Sequence, residues 1–255
     1  MAWIEETNGV EYAKKPLVQA ITYTAPNKLI ETDYEGDEGL HINSFLDENG
    51  NQLAIVNHTF NYDTNIGRVV FDDNVATIGN SAFYNCYGLE DITIPDSVTT
   101  IGNSAFNGCS GLTSATIGSG VTTIGYNLFF DCTNLESVII PDNVTSIGQS
   151  AFANCSSLTS VTLSNNIEYI DVYFFQNCTS LTDITIPANI TSVGSWAFDG
   201  CSNLASITSL SVTAPTADYA FNNVASDGIL YVPQGSSGYD YYWLSQLNNW
   251  TKVEQ

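Results

Sequence analysis

The residues best suited to chemistry are six cysteines, Cys86, Cys109, Cys132, Cys155, Cys178 and Cys201, each 23 residues from the next. Thiolates bind zinc, but zinc motifs bring their ligands together in pairs a few residues apart, and here every cysteine stands alone in its interval. Disulfides are the second chemistry to weigh. If the interval is one turn of a stack, neighbouring cysteines lie ~4.8 Å apart, inside the permitted Cα range. Their side chains would run parallel, so the Cβ separation stays near ~4.8 Å, slightly beyond what a disulfide uses. The expectation is a ladder of free, buried thiols packing as small apolar groups, with no metal.

Other chemistry finds less support. Nucleophilic catalysis needs a base beside the nucleophile. The two histidines, His41 and His58, stand near the N-terminal end, and no nucleophile motif accompanies them. Carboxylates such as Asp96, Asp142 and Asp183 recur on turns, where solvation accounts for them. The acidic run Asp33 to Glu38 and the pair Asp72 and Asp73 offer oxygen ligands for calcium but lack the spacing of known calcium loops. The sequence therefore assigns no catalytic residue, no metal ligand and no cofactor, and the expectation is a protein that is not an enzyme.

Charge narrows the partners. There are 27 acidic residues against five basic ones, for a net charge of −22. No Lys or Arg falls between Arg68 and Lys252. Binding to nucleic acid, anionic lipid or polyanionic sugar needs basic side chains, so these partners are not expected. Neutral glycans, cationic peptides and divalent cations remain open. The plainest meaning of the charge is solubility through self-repulsion. No stretch approaches the ~20 apolar residues of a membrane-spanning helix, so no membrane insertion is expected.

The elements that position these residues emerge when the chain is aligned on its cysteines. Phe83, Phe106, Phe129, Phe152, Phe175 and Phe198 form one column, and Leu89, Leu112, Leu135, Leu158, Leu181 and Leu204 another. Ile78, Ile101, Ile124, Ile147, Ile170 and Val193 form a third. The segment Leu-x-x-Ile-x-Ile-Pro, as at Leu89 to Pro95, predicts a strand with both isoleucines inward and the residue between them in water. The proline ends its ladder. Asn85, Gly108, Asp131, Asn154, Asn177 and Gly200 precede the cysteines and predict a tight left-handed turn. Gly79, Gly102, Gly125, Gly148 and Gly194 mark a second corner, at which Asp171 is the exception. Self-similarity at this period with Leu-x-x-Leu-type spacing marks a leucine-rich repeat.

Eight copies run from about 55 to about 238, the first with Asp63 and the last with Val224 in the cysteine slot. The predicted fold is a β-rich leucine-rich-repeat solenoid (L domain-like) with short helical turns and a stacked length on the order of 40 Å. Six copies are strict and the outer two atypical. Residues 1–54, with a β-like run Leu17 to Tyr23, form the N-terminal cap or attachment segment. Residues 239–255 form the C-terminal cap, where Tyr239, Tyr242, Trp243, Leu247 and Trp250 are spaced to cover the last turn with a short helix.

Two surface columns stand out. Thr93, Thr116, Ile139, Thr162, Thr185 and Thr208 make a flat ladder that suits either ordered water or simple β-favouring filler. The other column drifts: Ser81, Ser104, Asn127 and Ser150 give way to Tyr173, Trp196 and Tyr219. Tyr169 and Asp171 interrupt neighbouring columns in the same region, and Asp199 and Asp218 lie close in sequence. Tyr169, Asp171, Tyr173, Trp196 and Tyr219 are the candidate ligand-binding residues, a platform for a neutral sugar or a peptide. The alternative is that the rings bury against the C-terminal cap.

The pattern Ile-Gly-x-x-Ala-Phe-x-x-Cys-x-x-Leu-x-x-Ile-x-Ile-Pro-x-x-Val-Thr resembles the BspA-like (Treponema-type) leucine-rich repeat, and the resemblance covers residues 55–238. Leu230 to Ser236, with Trp250 beyond, is similar to the C-terminal cap of such proteins. The resemblance implies surface proteins of anaerobic bacteria and some protists used in adhesion and recognition. It also implies phage proteins of gut bacteria, and neither catalytic residues nor binding residues fixed by motif. The expected function is non-catalytic recognition of a protein or neutral glycan by a face of the solenoid, displayed outside the cell or on its surface. The alternative is a phage virion component binding a host surface. Met1 to Asn8 carry no basic segment followed by an apolar run. Export would therefore need a signal already removed, or another route such as release in a phage particle.

Overall fold

Leucine and isoleucine at alternating positions, interrupted every few residues by turn formers, can bury their side chains only if successive turns stack. The computed structural model describes residues 75–255, apart from the side chains of 241–242. It also describes the strand backbone at Trp3–Thr7, Val10–Lys14, Phe45–Leu46, Asn57–Asn61 and Ile66–Val70. The cap segment Leu17 to Tyr23, the acidic run Asp33 to Glu38, Asp63, Asp72 and Asp73 lie outside the described residues.

Each turn contributes two strands to two sheets. One sheet stacks the short strands Thr77–Ile78, Thr100–Ile101, Thr123–Ile124 and Ser146–Ile147 in parallel, with Phe45–Leu46 antiparallel on its N-terminal edge. The other stacks Ile66–Val70, Leu89–Thr93, Ser114–Thr116, Ser137–Ile139 and Ser160–Thr162 in parallel. Asn57–Asn61, where the columns place the first copy's phenylalanine corner, instead runs antiparallel to Ile66–Val70. Both sheets stop after Ser160–Thr162 and resume as new ones. These contain Tyr169–Ile170, Ser192–Val193 and Thr216–Ala217 on one side, and Asp183–Ile186, Ser206–Ser209, Ile229–Val232 and Thr251–Glu254 on the other. The result is a parallel β-solenoid of about eight turns. Ile92 and Ile94 are buried and Thr93 between them is exposed, as the alternation requires. Among the described residues no helix is long and apolar enough to cross a membrane.

Among the described residues the repeats carry no helix where short helical turns are expected. Asn85, Gly108, Asp131, Asn154, Asn177 and Gly200 are left-handed, as predicted, but so are Ser81, Ser104, Asn127, Ser150, Tyr173 and Trp196 four residues earlier, and Tyr219 four before left-handed Asn223. With a left-handed residue at both ends, only three residues lie between, fewer than one α-helical turn. The glycines of the second corner serve a different purpose. A Cβ on Gly125 would lie 2.6 Å from the backbone nitrogen of Asn103 and 2.7 Å from the carbonyl carbon of Gly102, so glycine is required by the close approach of the preceding turn.

Inside, each side chain packs on its own copy. The rings of Phe83, Phe106, Phe129, Phe152, Phe175, Phe198 and Phe221 form a continuous stack with centroids 5.0–5.7 Å apart. None of the six cysteines is in a disulfide, and all are buried. They do more than fill space. The Sγ of Cys109, Cys132, Cys155, Cys178 and Cys201 each donates to the carbonyl of the phenylalanine in the turn before, at 3.0–3.1 Å. Val224, which occupies the slot in the last copy, is partly buried against the core.

The C-terminal segment covers the last turn with a short helix, as expected, and with a strand that the sequence did not suggest. A single π-helical turn, Tyr239–Trp243, leads into Leu244–Gln246. Tyr239, Trp243, Leu247 and Trp250 are buried, and the Trp243 ring lies 4.9 Å from Phe221. The indole N–H of Trp243 donates to Pro215 O and that of Trp250 to Ala225 O. Left-handed Asn249 then turns the chain so that Thr251–Glu254 joins the sheet beside Ile229–Val232. Lys252 on this edge strand is paired with Asp240 at 2.6 Å, a charge placed where it discourages further strand addition.

Two outcomes follow. Burial pushes the thiols of Cys109, Cys132, Cys155 and Cys178 above their ordinary value near 9, and that of Cys201 to about 12. The unfolded chain therefore ionises first. Stability should hold below pH 9 and decline between about pH 9 and 12, read as a falling urea midpoint. At pH 8 a thiol reagent should find none of the six in the native protein and all six after unfolding. Gly125→Ala should cost about 1–3 kcal/mol in the same urea assay, because its Cβ has backbone atoms in its way.

Candidate functional site

The candidate residues occupy one corner of turns whose other corners are small. Tyr169 stands where Thr77, Thr100, Thr123 and Ser146 stand below it, at the entry to a short strand, and is 56% exposed. Asp171 takes the glycine position. Its Oδ1 accepts the N–H of Val172 at 2.7 Å, a local bond that closes the corner on itself. Tyr173, Trp196 and Tyr219 hold left-handed backbone at φ 58°, 58° and 57°. The rings of Tyr173 and Trp196 stack at 5.3 Å and 10°.

The structure places Tyr173, Trp196 and Tyr219 in one file on successive turns, with Tyr169 and Asp171 in neighbouring columns of the first of these turns, and does not bury them beneath the C-terminal cap. Trp196 is 39% and Tyr219 68% exposed. The cap attaches next to Tyr219 through Gln246, whose Oε1 accepts the N–H of Ala220 at 2.9 Å. Asp199, close in sequence, is occupied otherwise: its Oδ2 accepts from Gln176 Nε2 at 3.1 Å and its Oδ1 from Asn223 Nδ2 at 2.9 Å, tying three turns together. Asp218 and Glu168 are exposed beside the rings in sequence.

The acidic residues follow a pattern that column alignment alone did not reveal. From Glu90 onward no two of them stand 23 residues apart. Stacked carboxylates would lie ~4.8 Å from each other and repel. Instead they meet amides and hydroxyls: Asp96 Oδ1 accepts from the N–H and Oγ of Ser119, Asp142 Oδ1 from the N–H of Asn165, and Asp131 Oδ1 from Asn154 Nδ2. The charge is thus built into the ladder as hydrogen-bond acceptors. Among the described residues there is no group of three or more His, Cys, Asp or Glu side chains that could hold a metal ion. His41 lies outside the described residues, and of His58 only the strand backbone is described.

Stacked parallel strands, a turn of 23 residues and a one-file core define a leucine-rich-repeat solenoid. The chain belongs to the BspA-type leucine-rich repeat family: the family model, a BspA type leucine rich repeat region of six copies, matches residues 53–182 and 168–254. A comparison with curated proteins gives no match. Among solved structures, the leucine-rich repeat protein of Treponema pallidum is 24% identical, with TM-score 0.54 over 64% of this chain and 86% of that one. A leucine-rich cell surface protein of Faecalibacterium prausnitzii is 24% identical, with TM-score 0.44 over 70% and 69% of the two chains. A leucine-rich repeat protein of Bacteroides ovatus is 21% identical, with TM-score 0.38 over 79% and 76%. At these identities the likeness concerns the fold.

Asp199→Ala should lower stability by about 1 kcal/mol, measured by urea unfolding, since two amides lose their acceptor. The same variant should bind any partner of the aromatic file as the parent does.

Proposed function

We propose that this protein is a non-catalytic recognition module, displayed outside the cell that makes it, which binds a protein partner through Tyr169, Tyr173, Trp196 and Tyr219. The observation that carries this reading is the placing of bulky aromatics on left-handed backbone. A left-handed L-residue costs roughly 1–2 kcal/mol. Ser81, Ser104, Asn127 and Ser150 make the same corner without any ring, so the fold does not require one. The Tyr173–Trp196 stack returns only about 0.5–1.5 kcal/mol. Trp196 and Tyr219 also leave much of their apolar surface in water. Trp and Tyr are the residues that anchor protein interfaces.

Two features favour a protein over a small sugar. The rings project from the outside of a corner, whereas sites for small ligands are concave. Tyr173 and Trp196 also cover one face of each other, which removes the surface a sugar ring would stack on. The net charge of −22 favours a partner with a basic surface, whose association would slow as salt rises. Family membership supports the recognition role and the surface location.

The deciding variant is Trp196→Asn, because asparagine already occupies the equivalent corner at Asn127. Strain relief and the lost stack offset each other, so its melting temperature should stay within about 3 °C of the parent. Parent and variant would be screened against immobilised basic and neutral proteins, neutral glycans and whole cells. The expected result is a protein ligand whose binding falls at least about tenfold in the variant. Equal binding by parent and variant would remove the aromatic file from the function. A purely glycan hit would replace the proposed partner class.

A further inference from the structure

Four of the five parallel steps between paired short strands are closed by a glycine; at the fifth, which spans 24 residues, Asp218 stands in register with Gly194 and Thr216–Ala217 still pairs with Ser192–Val193. The N–H groups of Gly102, Gly125, Gly148 and Gly194 donate to Ile78, Ile101, Ile124 and Ile170 at 2.7–3.0 Å. A Cβ on any of these glycines would lie 2.5–2.6 Å from a backbone nitrogen of the turn before, closer than real Cβ atoms come. Asp171 has such a Cβ. The bond its N–H would make to Ile147 O is absent among the described residues, and no strand of either sheet is paired across this step.

The effect reaches the far sheet. Thr113, Glu136, Thr159 and Ala205 each donate an N–H to the equivalent carbonyl one turn back, but Thr182 does not reach Thr159. Val161, on the lower lip, is only partly buried, whereas Ile92, Val138, Ile184 and Ile207 in the same column are buried. The phenylalanine corner, in contrast, stays closed: Ser150 N–H to Val172 O at 3.0 Å, Phe152 N–H to Phe174 O at 3.0 Å and Asn154 N–H to Gln176 O at 2.7 Å. Beyond that corner Ser180 N–H and Thr179 Oγ1 both donate to Ser156 O at 3.2 Å, and on the loop side Asn189 Nδ2 donates to Asn165 O at 2.6 Å and Thr191 N–H to Glu168 O at 2.9 Å. Phe174, in a column otherwise held by Ala82, Ala105, Leu128, Ala151, Ala197 and Ala220, is fully buried with its ring 5.5 Å from Phe152.

We infer that the solenoid is two stacks, residues 75–162 and 169–254, joined by a seam. The Cβ of Asp171 holds both sheets open there, and the phenylalanine corner serves as the hinge. Tyr169 lies on the upper lip, and the aromatic file from Tyr173 to Tyr219 belongs wholly to the C-terminal stack. Motion at the seam therefore re-aims the file relative to the N-terminal stack. The inference stands on the backbone geometry and does not depend on what the file binds.

The test is amide hydrogen exchange on the full-length chain, resolved by residue. The amides of Asp171 and Thr182 should exchange at least about a hundredfold faster than those of Gly148, Gly194, Thr159 and Ala205, since protection tracks local opening. Asp171→Gly restores the residue used at the other 23-residue steps and should slow both amides to the level of their equivalents. Asp171→Ala keeps the Cβ without the charge and should leave them fast. Phe174→Ala should also leave them fast. Equal protection in the parent, or closure by Asp171→Ala or Phe174→Ala, would overturn the inference.

Discussion

The whole structure depends on how closely one turn approaches the next. Parallel strands pair at ~4.8 Å, and at that distance a residue's nearest neighbour is its own copy in the turn above. A side chain is therefore selected for how it packs against itself. Flat rings stack, which is why a single phenylalanine column can run from Phe83 to Phe221 and end under Trp243. Cysteine stacks with a small volume and a weak donor that reaches the phenylalanine carbonyl below. Carboxylates do not stack, and from Glu90 onward the chain keeps them off adjacent turns of a column even while carrying a charge of −22.

The same constraint explains where the structure departs from regularity. At the glycine corner the backbones approach so closely that a Cβ has no room, and among the 23-residue steps the one departure to aspartate coincides with the break in both sheets. At the left-handed corner the side chain points outward, so the position accepts serine, asparagine, tyrosine or tryptophan without disturbing the stack. Variation is thus tolerated on the rim and punished in the step. Aromatic side chains can be presented on the rim precisely spaced by the turns beneath them, which is a means of building a recognition surface on a fixed scaffold.

Much of this is legible in the sequence. The inward isoleucines, the ring and thiol columns and the left-handed turn before each cysteine follow from residue type and period alone. The second left-handed corner was hidden because Ser81, Ser104 and Ser150 do not announce such a backbone; only Asn127 is a residue type that favours it. The helical turns expected between the corners failed for the same reason, since two left-handed residues leave no space for one. The aromatic file was recognised as a column, but whether its rings were covered depended on where the C-terminal segment lay.

What the sequence determined by itself is the period, and with it the fold: side chains that recur every 23 residues can be buried together only by stacking. What only the tertiary structure decided is how the ends and the irregular steps are resolved. The terminal strand Thr251–Glu254 could be placed only by a sheet edge that already existed, because it carries no repeat signal of its own. The consequence of Asp171 likewise exists only between turns. A Cβ is harmless in an isolated corner, and it separates two sheets only when another backbone lies a few ångströms away.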